Sequence, residues 1–135
     1  MANTYDPVFQ GWFHYVGGHP DQPLSPASLT SRVTLIQEGL AYERKGFFGS
    51  AWECLFVLPL HDIVDARATV DRRCGLEWYG EDYFVDVDLE TQDGKYTVRF
   101  EAFGMTQQKD ASRLCNAIKV MPAEGGWQRG PSLVV

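Results

Sequence analysis

Three histidines, three cysteines and one run of alternating acids are the side chains of this chain with chemistry to offer. His14, His19 and His61 stand apart, and no His-x-x-x-His, Cys-x-x-Cys or Cys-x-x-His spacing occurs. A zinc site needs three or four such ligands brought together, so no metal is expected. His61-Asp62, close to Pro59, reads as a turn rather than as an imidazole oriented by a carboxylate. Asp86-Val87-Asp88-Leu89-Glu90 begins like a calcium loop, but the sixth position is Thr91 instead of Gly and the twelfth is Thr97 instead of Glu. Alternation explains these acids more simply, as the solvated face of a strand. Gly46 to Gly49 is too short to cradle phosphate, and no Lys-Ser/Thr follows it. Neither a Gly-x-Ser-x-Gly elbow nor a dinucleotide fingerprint is present. The cysteines have no local sign of thiolate activation. No catalytic residue, cofactor or metal ligand is assigned.

The remaining candidates are apolar and basic. Phe47, Phe48 and Trp52 form the densest aromatic group, and they either dock a partner or plug an open end of the fold. Arg44-Lys45 and Arg72-Arg73 are the only basic doublets. Phe47, Phe48, Trp52, Arg72, Arg73 and Trp78 are the candidate partner-binding residues.

The chain has 135 residues, 44% of them hydrophobic and 13% aromatic, which is enough for one domain with one core. Its formal charge of -6 argues against nucleic acid, which requires a basic footprint, and against anionic membranes. No apolar run approaches the ~20 residues of a membrane span, and Met1 to Gln10 carries no signal-peptide pattern. Three widely spaced cysteines do not make a disulfide framework. Cys54 and Cys115 lie in apolar patterns where a thiol acts as a small core residue. A cytoplasmic location is expected.

Alternation and turn residues then set out the elements. Gly11 to Val16 reads as a strand and 17–30 as a Gly- and Pro-rich loop. Ser31 to Tyr42 reads as a hairpin around a Glu38-Gly39 turn, pairing Leu35 with Tyr42 and Val33 with Arg44. Trp52 to Leu58 is apolar on both faces and is expected to be covered on both sides. Ile63 to Val70 is a further strand, and Asp71 to Asp82 an irregular polar stretch with a short edge strand at most. Tyr83 to Glu90 and Lys95 to Phe103 alternate cleanly. Thr91 to Gly94 connects them, and a two-residue Asp-Gly turn or a four-residue connection both keep apolar opposite apolar. The four-residue option is favoured because it also sets Glu90 against Lys95 and Asp86 against Arg99, opposite charges that each contribute roughly 0.2–1 kcal/mol. Thr106 reads as an N-cap, and Gln107 to Met121 carries a helical stripe of Ala111, Leu114, Cys115, Ile118 and Met121. Seven short antiparallel strands must bury one face, and one amphipathic helix is available to cover it. The fold expected is a mainly β, strongly bent antiparallel sheet or partly open barrel capped by one C-terminal helix. It forms one domain with a core at about 8–121 and loose ends at 1–7 and 122–135.

Three stretches carry a resemblance. Arg32 to Tyr42 looks like a hairpin of the pleckstrin-homology-like superfamily. Val57-Leu58-Pro59-Leu60-His61-Asp62-Ile63 is similar to a run common in its GRAM-like and bacterial members. Asp93 to Phe100 resembles the last hairpin before the closing helix. The family's phosphoinositide binders usually carry Lys and Arg in the loop between the first two strands. Here Gly17 to Thr30 contains neither, offering His19 and Asp21 instead, so a polyanionic headgroup lacks its charge-assisted donors. Other members bind peptides or self-assemble. The functional expectation is a non-catalytic module that binds a protein or peptide, or forms a homo-oligomer, through a strand edge or the groove beside the helix. Two alternatives stay open. One is a small-molecule-binding barrel, with an enzyme among its forms, whose interior is lined by Trp12, Tyr15, Trp78 and Tyr96. The other is a peripheral membrane module using Phe47 and Phe48.

Overall fold

A computed structural model describes residues 8–22, 30–45, 51–74 and 79–121, with 73, 74 and 79 described by their backbone alone. Seven strands precede one helix: β1 (Phe9–Gly17), β2 (Ser31–Ile36), β3 (Gly39–Lys45), β4 (Trp52–Pro59), β5 (Ile63–Cys74), β6 (Tyr79–Thr91), β7 (Gly94–Ala102) and α1 (Gln107–Val120). All pairings are antiparallel, in the order β4-β3-β2-β1-β7-β6-β5. The sheet does not close, since β4 and β5 end it on either side.

The bend is made by β1. Phe9 to Trp12 pair with β2, whereas Phe13 to Gly17 pair with β7, so one strand serves two differently oriented halves. Its alternation turns Phe13 and Tyr15 into the core and leaves Trp12 outside. Beyond its end the chain passes close over β7. A Cβ on Gly18 would lie 1.8 Å from the Thr97 carbonyl oxygen, and its φ of +107° is one that side chains rarely adopt.

Between the two halves lie Phe13, Val33, Leu35, Leu40, Leu58, Ile63, Val85, Val87, Val98 and Phe100, all fully buried. Helix α1 lies against β1, β5, β6 and β7 and closes this core with Leu114 and Ile118, neither of which reaches solvent. Each such side chain contributes roughly 1.5–3 kcal/mol on burial. Thr106 does precede the helix, but its hydroxyl does not cap a backbone N–H. It donates instead to the buried Asp110 carboxylate at 2.9 Å.

The β6–β7 hairpin has the expected register, with Glu90 opposite Lys95 and Asp86 opposite Arg99, but Thr91 also pairs with Gly94, so the turn is the two residues Gln92-Asp93 rather than a four-residue connection. The β2–β3 hairpin does not. Leu35 faces Leu40 and Val33 faces Tyr42, so the turn is Gln37-Glu38 and Gly39 belongs to β3. This two-residue shift keeps every side chain on its face and sets Tyr42, rather than Arg44, opposite Val33.

Three further expectations are corrected. Strand β4 is an edge strand rather than a doubly covered one, and Cys54 and Val57 on it are exposed. A bulge where Tyr42 faces Phe56 and Glu43 faces Cys54 leaves Leu55 unpaired. The described part of the stretch from Asp71 is regular sheet, because β5 runs on to Cys74 and β6 begins at Tyr79. The Arg72–Glu81 ion pair (3.0 Å) ties this extension across the two strands, and the Tyr83 hydroxyl, on β6 like Glu81, donates to the same carboxylate. Lastly, the acids of β6 are no simple solvated face. Asp86 is buried and takes two bonds from the Arg99 guanidinium, at 2.7 and 3.0 Å.

Candidate functional site

Three of the six candidate residues are described, Arg73 by its backbone alone. Phe47, Phe48 and Trp78 lie outside the described residues. Trp52 opens β4, at one end of the sheet order. Arg72 and Arg73 lie late in β5, at the other. Arg72 is exposed and bound to Glu81, and position 73 faces Gly80 in the β5–β6 ladder.

Trp52 instead joins an outward aromatic group that the sequence reading did not assemble. Its ring lies 6.1 Å from Trp12, which lies 6.1 Å from Phe103. The Arg32 guanidinium sits 3.8 Å over the Trp52 ring and is anchored to Glu43 at 2.7 Å. Met105 is fully exposed, and Trp12 is 44% exposed. The available signal was parity: Trp12 alternates with Gly11 and Phe13, on the polar side shared by Gln10 and His14. Trp12 is therefore not a lining residue of the interior.

His14 completes this group by stacking on Phe103, with centroids 3.9 Å apart and planes within 8°. The Ser31 hydroxyl gives its proton to the Phe13 carbonyl at 2.7 Å. The 2.9 Å contact between His14 Nδ1 and Ser31 Oγ therefore has Nδ1 as donor. Partial burial lowers the imidazole pKa below the usual histidine value.

The interior aromatics pack ring on ring. Tyr15, Tyr42, Phe56 and Phe100 have centroids 5.1 to 6.4 Å apart. The Tyr15 hydroxyl donates to the Gln22 carbonyl at 2.6 Å and accepts from the His19 N–H, which holds the chain after β1 in place. His19 contacts Phe56 and Tyr96, and its Nδ1 accepts from the Asp21 N–H. Burial and the nearby carboxylates of Asp62 and Asp21 raise the Tyr96 pKa.

Thiol chemistry is suppressed at both described cysteine side chains. Burial pushes the Cys115 thiol up to about 11, and partial burial with Glu43 nearby raises Cys54. Among the described residues no group of three His, Cys, Asp or Glu could hold a metal ion. Nor is any described helix long and apolar enough to cross a membrane.

What the geometry offers is edges. Among the described residues β4 and β5 each have one hydrogen-bonded neighbour. Strand β4 carries a single charge, Glu53, which is bonded to Arg44. Strand β5 is twelve residues long, and on it Ala68 and Val70 share the face of buried Ala66 yet are exposed, Val70 by 52%. Edge strands offer a partner both a backbone ladder and alternate side chains. No protein-family model matches the chain, and no curated protein matches it.

Proposed function

We propose that this chain is a binding or assembly module on a pleckstrin-homology-like frame, which takes a protein strand or a second copy of itself onto an open sheet edge. One observation carries the reading: a seven-stranded sheet that ends in two unclosed strands, both with exposed apolar side chains at the edge. Seven antiparallel strands followed by one covering helix is also the element order that the resemblance implies. A strand added at an edge gains main-chain hydrogen bonds along its length and specificity from alternate side chains. The outward group of Trp12, Trp52 and Phe103 gives such a partner aromatic surface to extend over near β4.

The test is amide hydrogen exchange on the full chain, measured over a range of protein concentrations and with peptides selected from a random display library. Protection that rises along β4 or β5, with concentration or with peptide, is the expected result. Unchanged exchange along both strands, with neither self-association nor peptide binding, overturns the reading.

A further inference from the structure

We propose that β5 pairs antiparallel with β5 of a second copy around a two-fold axis at Thr69. The inference rests on the assembly reading above and names its partner. Residues 65–73 read Asp-Ala-Arg-Ala-Thr-Val-Asp-Arg-Arg. In antiparallel self-pairing centred on residue 69, position 65 of one copy faces 73 of the other, 67 faces 71, and 69 faces itself. That sets Asp65 opposite Arg73, Arg67 opposite Asp71 and Thr69 opposite Thr69, each charged pair occurring twice by symmetry. Ala68 faces Val70 on the other side of the sheet. Every charge on the outward positions meets its opposite, and no like charges meet.

Few strands are self-complementary in this way, and like charges placed directly opposite are destabilising. The pattern is usable because β5 is at the end of the sheet order and its backbone is regular from Asp65 onward, the one irregularity falling between Ile63 and Asp65. Arg67 and Asp71 are both exposed. Arg67 also bonds Asp88 of its own chain, but a guanidinium has five donors and can serve both carboxylates.

A second observation points to the same spot. The Thr69 hydroxyl oxygen is buried and is the one such side-chain atom without a hydrogen-bond partner among the described residues. Buried polar groups are normally satisfied. At the two-fold axis Thr69 faces its own copy, and a Thr–Thr hydrogen bond there requires the hydroxyl, shielded within the single chain, to rotate to another staggered position on pairing. Val70 and Ala68, exposed in one chain, become neighbours across the axis. The segment carries three Arg and two Asp, so it is locally positive in a chain of net charge -6.

The experiment is a charge swap read by sedimentation and by light scattering after size exclusion. The wild-type chain is expected to dimerise. Asp71→Arg sets Arg against Arg67 of the second copy, and Arg67→Asp sets Asp against Asp71. Each should weaken the dimer about tenfold. The double variant restores opposite charges and should regain dimerisation, although it still lacks the Arg67–Asp88 bond. That recovery separates an interface from a folding defect, and far-ultraviolet circular dichroism checks the fold of each variant. Mild oxidation of Thr69→Cys should give a disulfide-linked dimer, since Cα atoms facing across a ladder lie within disulfide range. Asp65→Cys, which faces position 73, should not. A wild-type chain that remains monomeric overturns the proposal, while the broader reading survives if display peptides still bind an edge. A dimer indifferent to both single reversals, or uncrosslinked at position 69, also overturns it and moves assembly to another surface.

Discussion

Gly39 sits against the backbone of Leu58: a Cβ built on residue 39 would lie 2.2 Å from the Leu58 carbonyl oxygen. Glycine here permits close approach of β3 and β4, opposite Pro59 in the ladder, and its role is not that of a turn residue. Gly39→Ala must push β4 outward or break the pairing at the corner. A loss of about 1–3 kcal/mol is expected in denaturant unfolding, as for other forced overpacking. Glu38→Ala, one residue earlier in the exposed turn, should change stability by less than about 0.5 kcal/mol.

Leu114 is fully buried where α1 covers the sheet. Leu114→Ala removes that contact and leaves a void between α1 and the strands. We expect a loss of about 2–5 kcal/mol in urea unfolding. Ser112→Ala, on the exposed side of the same helix, should leave the midpoint nearly unchanged.

The Asp86–Arg99 pair is a buried carboxylate held by a half-exposed guanidinium. Arg99→Ala strips a buried anion of two charge-assisted bonds, and about 1–3 kcal/mol of stability should be lost. Arg99→Lys should recover only part, because an ammonium does not make the paired contact of a guanidinium with a carboxylate. Thermal unfolding at matched ionic strength separates the two variants.

His14 makes stability depend on pH. Its folded-state pKa is lowered by burial, so the unfolded chain binds this proton more readily than the folded one. Its contribution is intact above the unfolded value of about 6.5 and is lost as pH falls through that value toward the folded one. Proton NMR should place the His14 transition below the usual histidine value of about 6.5. His14→Asn should flatten the stability profile across the same window. An unchanged profile in the variant would assign the pH dependence to other groups.

The sequence by itself determined several of the elements and their faces. Alternation marked β6 and β7, the 3.6-residue stripe marked α1, and opposite charges selected the β6–β7 register before any contact was known. Each of these signals is local: it compares residues a few positions apart, or two strands joined by a short turn. Where the local signal is degenerate, it fell silent or misled. A period of two is unchanged by a two-residue slip, so the pattern in β2 and β3 could not choose between a Gln37-Glu38 and a Glu38-Gly39 turn. The carbonyl of Leu58, nineteen residues beyond Gly39, made that choice. The apolar run of β4 looked doubly covered because hydrophobicity records what a strand can bury and not which neighbours it has. Only the order of strands showed it to be an edge. The same limit governs the functional surface. Trp12, Trp52 and Phe103 are separated by tens of residues and meet because β1 bends from one half of the sheet to the other. The charge palindrome around Thr69 is written in the sequence, yet it acquires meaning only when the strand that carries it is found at an open edge. Strand order depends on contacts between distant parts of the chain, which no short window of residues contains.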